Sequence, residues 1–176
     1  MIAIVNTDPN WGIGKSGALQ VHISQDLQRF KAMTVGKVII YGSKTMQTYP
    51  HGKPLPHRTN IILTRNPQPE MAGAYIADSL ENLLEIVEEL KTEHAYQDDD
   101  FIVVGGESIY NLLLPFCNEC HVTRINQELP ADSYFPNLDN DCKWKLIAQS
   151  DWLTDPKNNL KFCYLHYQKI IGENNV

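Results

Sequence analysis

The chain has 176 residues, of which 43% are hydrophobic and 20% are charged, and its formal net charge is −6. This length suits one domain of ~100–200 residues, and the composition excludes general disorder. No segment approaches the ~20 apolar residues of a membrane span, and the first residues lack the pattern of a signal peptide. We therefore expect a single cytoplasmic domain over residues 1–176 with no membrane contact. The acidic charge argues against a nucleic-acid partner, which usually selects a basic surface.

The cysteines and histidines give no metal or haem prediction. Four cysteines in a chain without an export signal predict reduced thiols rather than disulfides. The segment CNECH at 117–121 fits the haem-attachment pattern CxxCH, but that chemistry accompanies exported proteins, and the segment leads into an apolar strand. The six histidines form no HExxH motif and share no predicted helix face. We therefore expect no metal.

Strands and helices alternate along the chain. Apolar runs predict strands at Ile2–Thr7, Lys37–Ser43, Asn60–Arg65, Ala74–Ala77, Phe101–Gly106, His121–Asn126, Lys143–Trp152 and Lys161–Ile170. Helices are predicted after Ser24 and Ser79, which have the character of N-caps, at Lys44–Thr48, and after Gly106. A long loop with several glycines covers Asp8–Ile23, and such loops are usually functional or mobile. This order predicts an α/β fold with a mostly parallel sheet and an antiparallel C-terminal pair.

The clearest local signal for a ligand is FIVVGGESIY at 101–110, where a strand runs through Gly105 and Gly106 into a helix. Paired glycines let a ligand approach the backbone, and a helix N-terminus favours a phosphate. The segment is equally compatible with a tight turn that binds nothing. A second segment, Gly42-Ser-Lys-Thr45, lacks the upstream glycine of a P-loop, which excludes that type of ATP site.

Asp26 is the carboxylate best placed for catalysis, because it follows the long loop and opens an amphipathic helix. The helix dipole stabilises a carboxylate there, and burial would raise its pKa toward neutrality. On local grounds alone, an ordinary first-turn aspartate at the surface is the more frequent case.

Together these pieces resemble the dihydrofolate reductase family over nearly the whole chain. After the opening strand, the matching segments follow in the family's order: Trp11-Gly-Ile-Gly14, Ser24–Phe30, Val38–Gly42, Lys53–Pro56 with Arg58, Asn60–Thr64, Val103–Tyr110, Thr123 and Phe135-Pro136. So many segments in order are far more specific than any one of them. The resemblance implies a monomer whose central eight-stranded sheet has helices on both faces, with a site for NADPH beside a reduced pterin.

The resemblance also implies a reaction and the residues that perform it. Hydride passes from nicotinamide C4 to C6 of 7,8-dihydrofolate, a proton reaches N5, and tetrahydrofolate is the product. Asp26 matches the catalytic carboxylate that anchors the pterin, Thr123 matches a hydroxyl that supports this acid, and Arg58 matches the arginine that binds the glutamate tail. The other implied substrate contacts are Ile4, Val5, Leu27, Phe30, Tyr49, Leu55, Val104 and Tyr110.

Cofactor contacts follow from the same resemblance. The residues that match contacts with the nicotinamide and in the long loop are Asn6, Ile13, Gly14 and Leu19. Those of the pyrophosphate and nicotinamide cradle match Gly105, Gly106, Glu107, Ser108, Ile109 and Tyr110. Those toward the adenosine end match Gly42, Ser43, Lys44, Thr45, Leu63, Thr64 and Arg65.

Two positions depart from the family pattern. Val21 stands where the family usually has a tryptophan that helps hold water near the acid, and Ser43 stands where it often has an arginine for the 2′-phosphate. Two alternatives stay open: a reductase of the same fold for another pterin or a riboflavin precursor, and a pterin- or NADPH-binding protein whose activity has lapsed. Arg58 argues against the first alternative, and Asp26 argues against the second.

Overall fold

A computed structural model describes residues 1–170 of the chain. In this part the strands are β1 (Ile2–Thr7), β2 (Gly12–Lys15), β3 (Ala18–Leu19), β4 (Val38–Gly42), β5 (Thr59–Leu63), β6 (Tyr75–Ala77), β7 (Phe101–Gly105), β8 (Glu119–Ile125), β9 (Ser133–Tyr134), β10 (Trp144–Gln149), β11 (Leu153–Thr154) and β12 (Lys161–Lys169). The α-helices are α1 (Ser24–Thr34), α2 (Ser43–Gln47), α3 (Leu80–His94) and α4 (Glu107–Leu113). Short 3₁₀ helices lie at Pro50–Gly52, Pro69–Met71, Asp98–Asp100, Leu114–Phe116 and Leu138–Asn140.

The central sheet has the strand order β10-β12-β8-β1-β7-β4-β5-β6, and β11 pairs with β12 outside this path. Neighbouring strands from β8 to β6 are all parallel. In contrast, β12 runs antiparallel to both β8 and β10. The predicted eight-stranded, mostly parallel sheet with an antiparallel C-terminal edge is therefore confirmed.

Helices cover both faces of the sheet because successive strand residues point to opposite sides. On one face, Val38 and Val103 pack in a core with buried residues of α3 and α4. On the other face, Ile39 packs in a separate core with Phe30 of α1 and Met46 of α2. The carboxyl ends of the parallel strands thus meet the beginnings of the helices, where open α/β sheets usually bind ligands.

The segment Asp8–Ile23, predicted as one loop, contains a hairpin. Strands β2 and β3 pair around Ser16 and Gly17, whose φ angles of 53° and 78° are those of a tight two-residue hairpin turn. Strand β9 pairs with β2, which completes a second, three-stranded sheet. The loop prediction is wrong here because strands of four and two residues are too short to show an alternating pattern.

The first helix begins differently from the prediction, whereas the third begins as predicted. Ser24 is the first residue of α1, Ile23 holds the N-cap position, and the backbone N–H of Ser24 donates to Asp155 Oδ1 at 3.3 Å. A carboxylate 131 residues away thus satisfies this helix end, which the local sequence could not indicate. Ser79 does cap α3, since its hydroxyl accepts the backbone N–H of Asn82 at 3.2 Å.

The four cysteines are free thiols, and Cys117, Cys120 and Cys163 are buried. The CNECH segment therefore leads into β8 with both of its thiols inside the core. No helix within residues 1–170 combines the length and the apolar character needed to cross a membrane. One domain over residues 1–176 stays a prediction, since it extends beyond the described residues.

Candidate active site

Asp26 lies in the first turn of α1 and accepts hydrogen bonds at both carboxylate oxygens. The Nδ2 atom of Asn6 donates to Oδ2 at 2.9 Å, and the hydroxyl of Thr123 donates to Oδ1. Asn6 on β1 and Thr123 on β8 are directly paired in the parallel ladder. The sheet therefore aims two donors from adjacent strands at one carboxyl group.

The environment of Asp26 changes its acidity. Burial raises the pKa of Asp26 above its usual value near 3.8. The hydrogen bonds from Thr123 and Asn6, and the charge of Arg29, lower this pKa but do not cancel the effect of burial. A carboxyl group perturbed in this way favours a functional role over that of an ordinary surface aspartate.

An apolar surface lies on the same face of the sheet as α1. It includes the buried Ile4 and, packed around it, the partly buried Phe30, Tyr49, Leu55 and Val104. The structure thus gathers five of the predicted substrate positions into one cluster. Desolvation raises the pKa of Tyr49, so its hydroxyl stays protonated there.

Three other predicted substrate positions lie elsewhere. The side chain of Val5 belongs to the core on the opposite face, and Tyr110 is buried in that core as well. The hydroxyl of Tyr110 donates to the carbonyl oxygen of Ile4 at 2.7 Å, so it fixes the backbone of β1. Leu27 is 47% exposed on the surface of α1 and is the least enclosed of the predicted contacts.

Arg58 is held in place by two hydrogen bonds. Its Nε atom donates to the hydroxyl of Thr34 at 3.1 Å, and its Nη1 atom donates to the carbonyl of Pro56 at 2.7 Å. A guanidinium group has five N–H donors, so the remaining ones are available to a ligand. This arrangement suits a fixed receptor for a carboxylate.

A cavity of about 670 Å³ opens beside Asn6 at the carboxyl ends of β1, β4 and β7. The predicted cofactor positions that line it are Asn6, Ile13, Gly14, Leu19, Gly42, Ser43, Lys44, Thr45, Leu63, Gly106, Glu107, Ser108, Ile109 and Tyr110. Thr64 lines a neighbouring cavity of about 480 Å³. Arg65 is exposed and lines neither of these two cavities, and the buried Gly105, which precedes Gly106 in the chain, lines neither of them.

Helices α2 and α4 both begin at this cavity. The first N–H groups of a helix have no partner within the helix, so two sets of backbone donors line one space. Gly105 has a φ of 109°, and a Cβ atom there would lie 2.8 Å from Cε2 of Tyr110. A Cβ atom at Gly42 would lie 3.2 Å from Cγ1 of Ile109. Glycine is therefore required at position 105, whereas a side chain at position 42 would need only a small shift of Ile109.

Several residues that line the cavity carry no signal in the sequence. Asp132 and Ser133 line the cavity because β9 pairs with β2. Gly17 and Ala18 of the hairpin and Thr48 at the end of α2 line it as well. Asn6 matched a cofactor contact, but its amide also binds Asp26. The register of β1 and β8 creates that contact, and no local motif signals it. Val21 is half-buried and packs with Ile23, Ile125 and Phe162.

A mostly parallel α/β sheet with two helix N-termini around one cavity, and a partly buried acid beside it, is typical of a nucleotide-dependent enzyme. A family model described as dihydrofolate reductase matches residues 1–169, and the chain belongs to this family. It is 34% identical over 162 residues to a dihydrofolate reductase of Bacillus subtilis, with 92% of this chain and 90% of the relative covered. It is 32% identical over 167 residues to a dihydrofolate reductase of Staphylococcus haemolyticus, with 95% of this chain and 94% of the relative covered.

A solved structure gives the same result for the fold. Dihydrofolate reductase from Enterococcus faecalis, complexed with NADP(H) and RAB-propyl, superimposes with a TM-score of 0.78 at 30% sequence identity. The match covers 96% of this chain and 95% of that one. The family expectation for the fold is thus confirmed by sequence and structure alike.

Proposed function

We propose that this chain reduces 7,8-dihydrofolate to 5,6,7,8-tetrahydrofolate with NADPH as the hydride donor. Membership of the dihydrofolate reductase family supports this reaction. The observation that carries it is the position of Asp26, which accepts hydrogen bonds from Asn6 and Thr123. Asn6 also lines the large cavity, and Val104 belongs both to that cavity and to the apolar cluster.

Asp26 binds the 2-amino group and N3 of the pterin in this proposal. The carboxylate oxygens face two adjacent donors of a pterin edge, and their negative charge makes the ring more basic, so that N5 accepts a proton more readily. Ile4, Phe30 and Val104 supply the apolar surface against the ring and exclude water from it. Arg58 binds the α-carboxylate of the glutamate tail with the donors that Thr34 and Pro56 do not use.

The large cavity has the features that a dinucleotide requires. NADPH, when bound, supplies the hydride. The beginnings of α2 and α4 offer backbone N–H donors to the two phosphates, and Gly106 keeps the backbone accessible. Lys44 is the cation of the cavity wall that would hold the 2′-phosphate, while Glu107 and Asp132 add negative charge to the same wall.

A spectrophotometric assay tests the reaction. The absorbance of NADPH should fall when dihydrofolate is added and should stay constant without it, and Asp26→Asn should abolish most of this change near pH 7. Parallel reactions with a pterin that lacks the glutamate tail and with a riboflavin precursor test the alternative substrates. Tight binding of a pterin without turnover would instead make the chain a binding protein.

We also propose that the enzyme works as a monomer in the cytoplasm. The family resemblance implies a monomer, and the four free thiols suit a reducing compartment. Light scattering coupled to size-exclusion chromatography should give the mass of one chain, and cell fractionation should place the activity in the cytosolic fraction. A stable dimer or a membrane-bound activity would contradict this proposal.

A further inference from the structure

Two histidines and a glutamate meet on the sheet face that α1 covers, at a position that the proposed reaction does not use. His121 on β8 and His166 on β12 are directly paired across the antiparallel ladder, and Glu119 lies two residues before His121 on the same face. The two imidazole rings stack with centroids 4.2 Å apart and planes 20° apart. The sequence offers no HExxH motif here because two strands, not one helix, bring the histidines together.

The three side chains converge on one point. Nε2 of His166 lies 2.8 Å from Oε2 of Glu119, and Nε2 of His121 lies 3.6 Å from the same oxygen. Each of the three side chains offers one ligand atom that lies within 4.8 Å of those of the other two. Tetrahedral zinc, with bonds of ~2.0–2.2 Å, holds its ligand atoms ~3.3 Å apart, so small side-chain rotations would complete this geometry.

We propose that Glu119, His121 and His166 form a binding site for Zn²⁺. Two imidazole nitrogens and one carboxylate oxygen are ligands that Zn²⁺ accepts, whereas Mg²⁺ and Ca²⁺ select oxygen ligands. The three side chains are between 15% and 31% exposed, so an ion can enter and solvent can occupy the fourth position. This site does not depend on the proposed reductase activity.

Arg29 is the neighbour that opposes zinc binding. Its Nη2 atom lies 3.5 Å from Nδ1 of His121, and its guanidinium group stacks 4.2 Å from the ring centre of Tyr164. When Nε2 of His121 binds a metal, Nδ1 carries the proton, and a guanidinium cannot accept it. Arg29 must therefore turn away from His121. The contact that it gives up is long, and its buried Nη1 atom has no partner within the described residues, so the opposition comes mainly from its stacking on Tyr164 and its charge interaction with Asp26.

Calorimetric titration of the full-length protein with Zn²⁺ tests the site. We expect one equivalent to bind, and Mg²⁺ to leave the signal unchanged. Two single variants, the nearly isosteric Glu119→Gln and His166→Gln, should each weaken Zn²⁺ binding by ~10-fold or more. The control His94→Gln removes an exposed histidine whose Nε2 atom lies 4.0 Å from Glu93, and it should bind like the wild type. Arg29→Gln should bind at least as tightly as the wild type, because an amide oxygen can accept the proton of Nδ1.

Two further measurements keep the test independent of folding and of the thiols. Zn²⁺ should raise the thermal unfolding temperature of the wild type but not that of Glu119→Gln, which must itself unfold cooperatively without metal. Co²⁺ should give the visible absorption of a tetrahedral site without the near-ultraviolet band of cobalt bound to thiolate. A thiolate band, equal affinity in Glu119→Gln and the wild type, or no uptake of Zn²⁺ by the wild type would overturn the proposal.

Discussion

Two opposing effects determine the ionisation of the carboxyl group of Asp26. Burial favours its protonated form, while Thr123 and Asn6 donate hydrogen bonds that favour its ionised form. The sequence alone predicts an acid at the start of a helix, and the family resemblance adds Thr123. Neither identifies the amide of Asn6 as a partner, because the pairing of Asn6 with Thr123 joins residues that are 117 positions apart.

Replacing Asp26 with asparagine keeps the shape of the side chain and removes its charge. If Asp26 assists protonation of the pterin, hydride transfer should slow by ~10²–10⁴-fold near pH 7 and recover at low pH, where dihydrofolate protonates unaided. Single-turnover hydride rates against pH measure this effect. Thr123→Val is the graded comparison, since loss of one donor should raise the pKa of Asp26 further and move the pH profile upward. Rates that are equal to those of the wild type at every pH would remove Asp26 from the mechanism.

Arg58 should strengthen the binding of substrates that carry a glutamate tail and leave the binding of substrates without one unchanged. Arg58→Leu should weaken binding of dihydrofolate by about 10–100-fold and leave a pterin without the glutamate tail nearly unaffected, since a charged hydrogen bond contributes roughly 1.5–3 kcal/mol. Equilibrium fluorescence titrations with both ligands measure the difference. Thr34→Val is the positioning variant, because it removes the hydroxyl that accepts from Nε of Arg58 and donates to the carbonyl oxygen of Phe30 at 2.8 Å. Similar losses for both ligands would assign Arg58 a structural role.

At the scale of secondary-structure elements, the strands along the main path of the central sheet were predictable, whereas β2 and the two-residue strands β3, β9 and β11 were not. The apolar runs of β1, β4, β5 and β7 are visible in the sequence because both faces of a central parallel strand are buried. The hairpin of β2 and β3 is held instead by its turn and by pairing with β9, whose residues lie more than 110 positions further along the chain. The same applies to α1, whose first turn depends on the distant Asp155.

Gly14 tests the role of the hairpin in cofactor binding. A Cβ atom at Gly14 would lie 2.6 Å from the carbonyl oxygen of Ala18, so Gly14→Ala should push β3 away from β2. Because both strands line the large cavity, we expect KM for NADPH to rise by about 10-fold. The control is Gly36→Asn, at a φ of 77° with nothing within 4 Å and outside both cavities, since asparagine tolerates this backbone conformation. Steady-state kinetics give KM for NADPH in both variants. An unchanged KM in Gly14→Ala would show that the hairpin does not contribute to cofactor binding.

The start of α2 should set the preference between cofactors. Lys44→Ala should raise KM for NADPH by about 10–100-fold and leave KM for NADH nearly unchanged, because only NADPH carries the 2′-phosphate. Arg65→Ala is expected to have a smaller effect, since Arg65 lines neither described cavity whereas Lys44 lines the larger one. Comparison of KM values for both cofactors measures this. A wild type that uses NADH and NADPH equally well would show that Ser43 has abolished the preference.

At the scale of the whole molecule, the site depends on strand order, and composition or periodicity does not determine that order. Strand β1 lies between β7 and β8, so Asn6 has Thr123 as a neighbour on one side and the Gly105–Gly106 segment near the end of the strand on the other. Only the family resemblance indicated this arrangement from the sequence. The polar cluster of Glu119, His121 and His166 has no counterpart among the positions that the resemblance supplied, and the strand pairing alone reveals it.

The raised pKa of Asp26 also links the site to the stability of the entire fold. Between the pKa of the unfolded chain, near 3.8, and the higher pKa of the folded state, the folded protein binds more protons at this position. The free energy of unfolding therefore falls as pH rises through that interval. In Asp26→Asn the free energy of unfolding does not fall in this way, because asparagine does not ionise. The variant should therefore be more stable than the wild type at neutral pH, and the difference in free energy of unfolding should vanish at low pH. Urea unfolding of both proteins between about pH 3 and pH 8 measures the difference.

Asp98→Asn supplies a control of opposite sign. The hydrogen bond and charge of Lys91 lower the pKa of Asp98, so this carboxylate stabilises the fold above its unfolded pKa and the stabilisation disappears as pH falls. Asp98→Asn should therefore be slightly less stable than the wild type at neutral pH, with a small effect because the pair is exposed and screened by solvent. If Asp26→Asn instead lost stability at neutral pH, the hydrogen bonds from Thr123 and Asn6 would outweigh the burial of the charge. Asp26 would then be ionised in the free enzyme throughout the working range of pH.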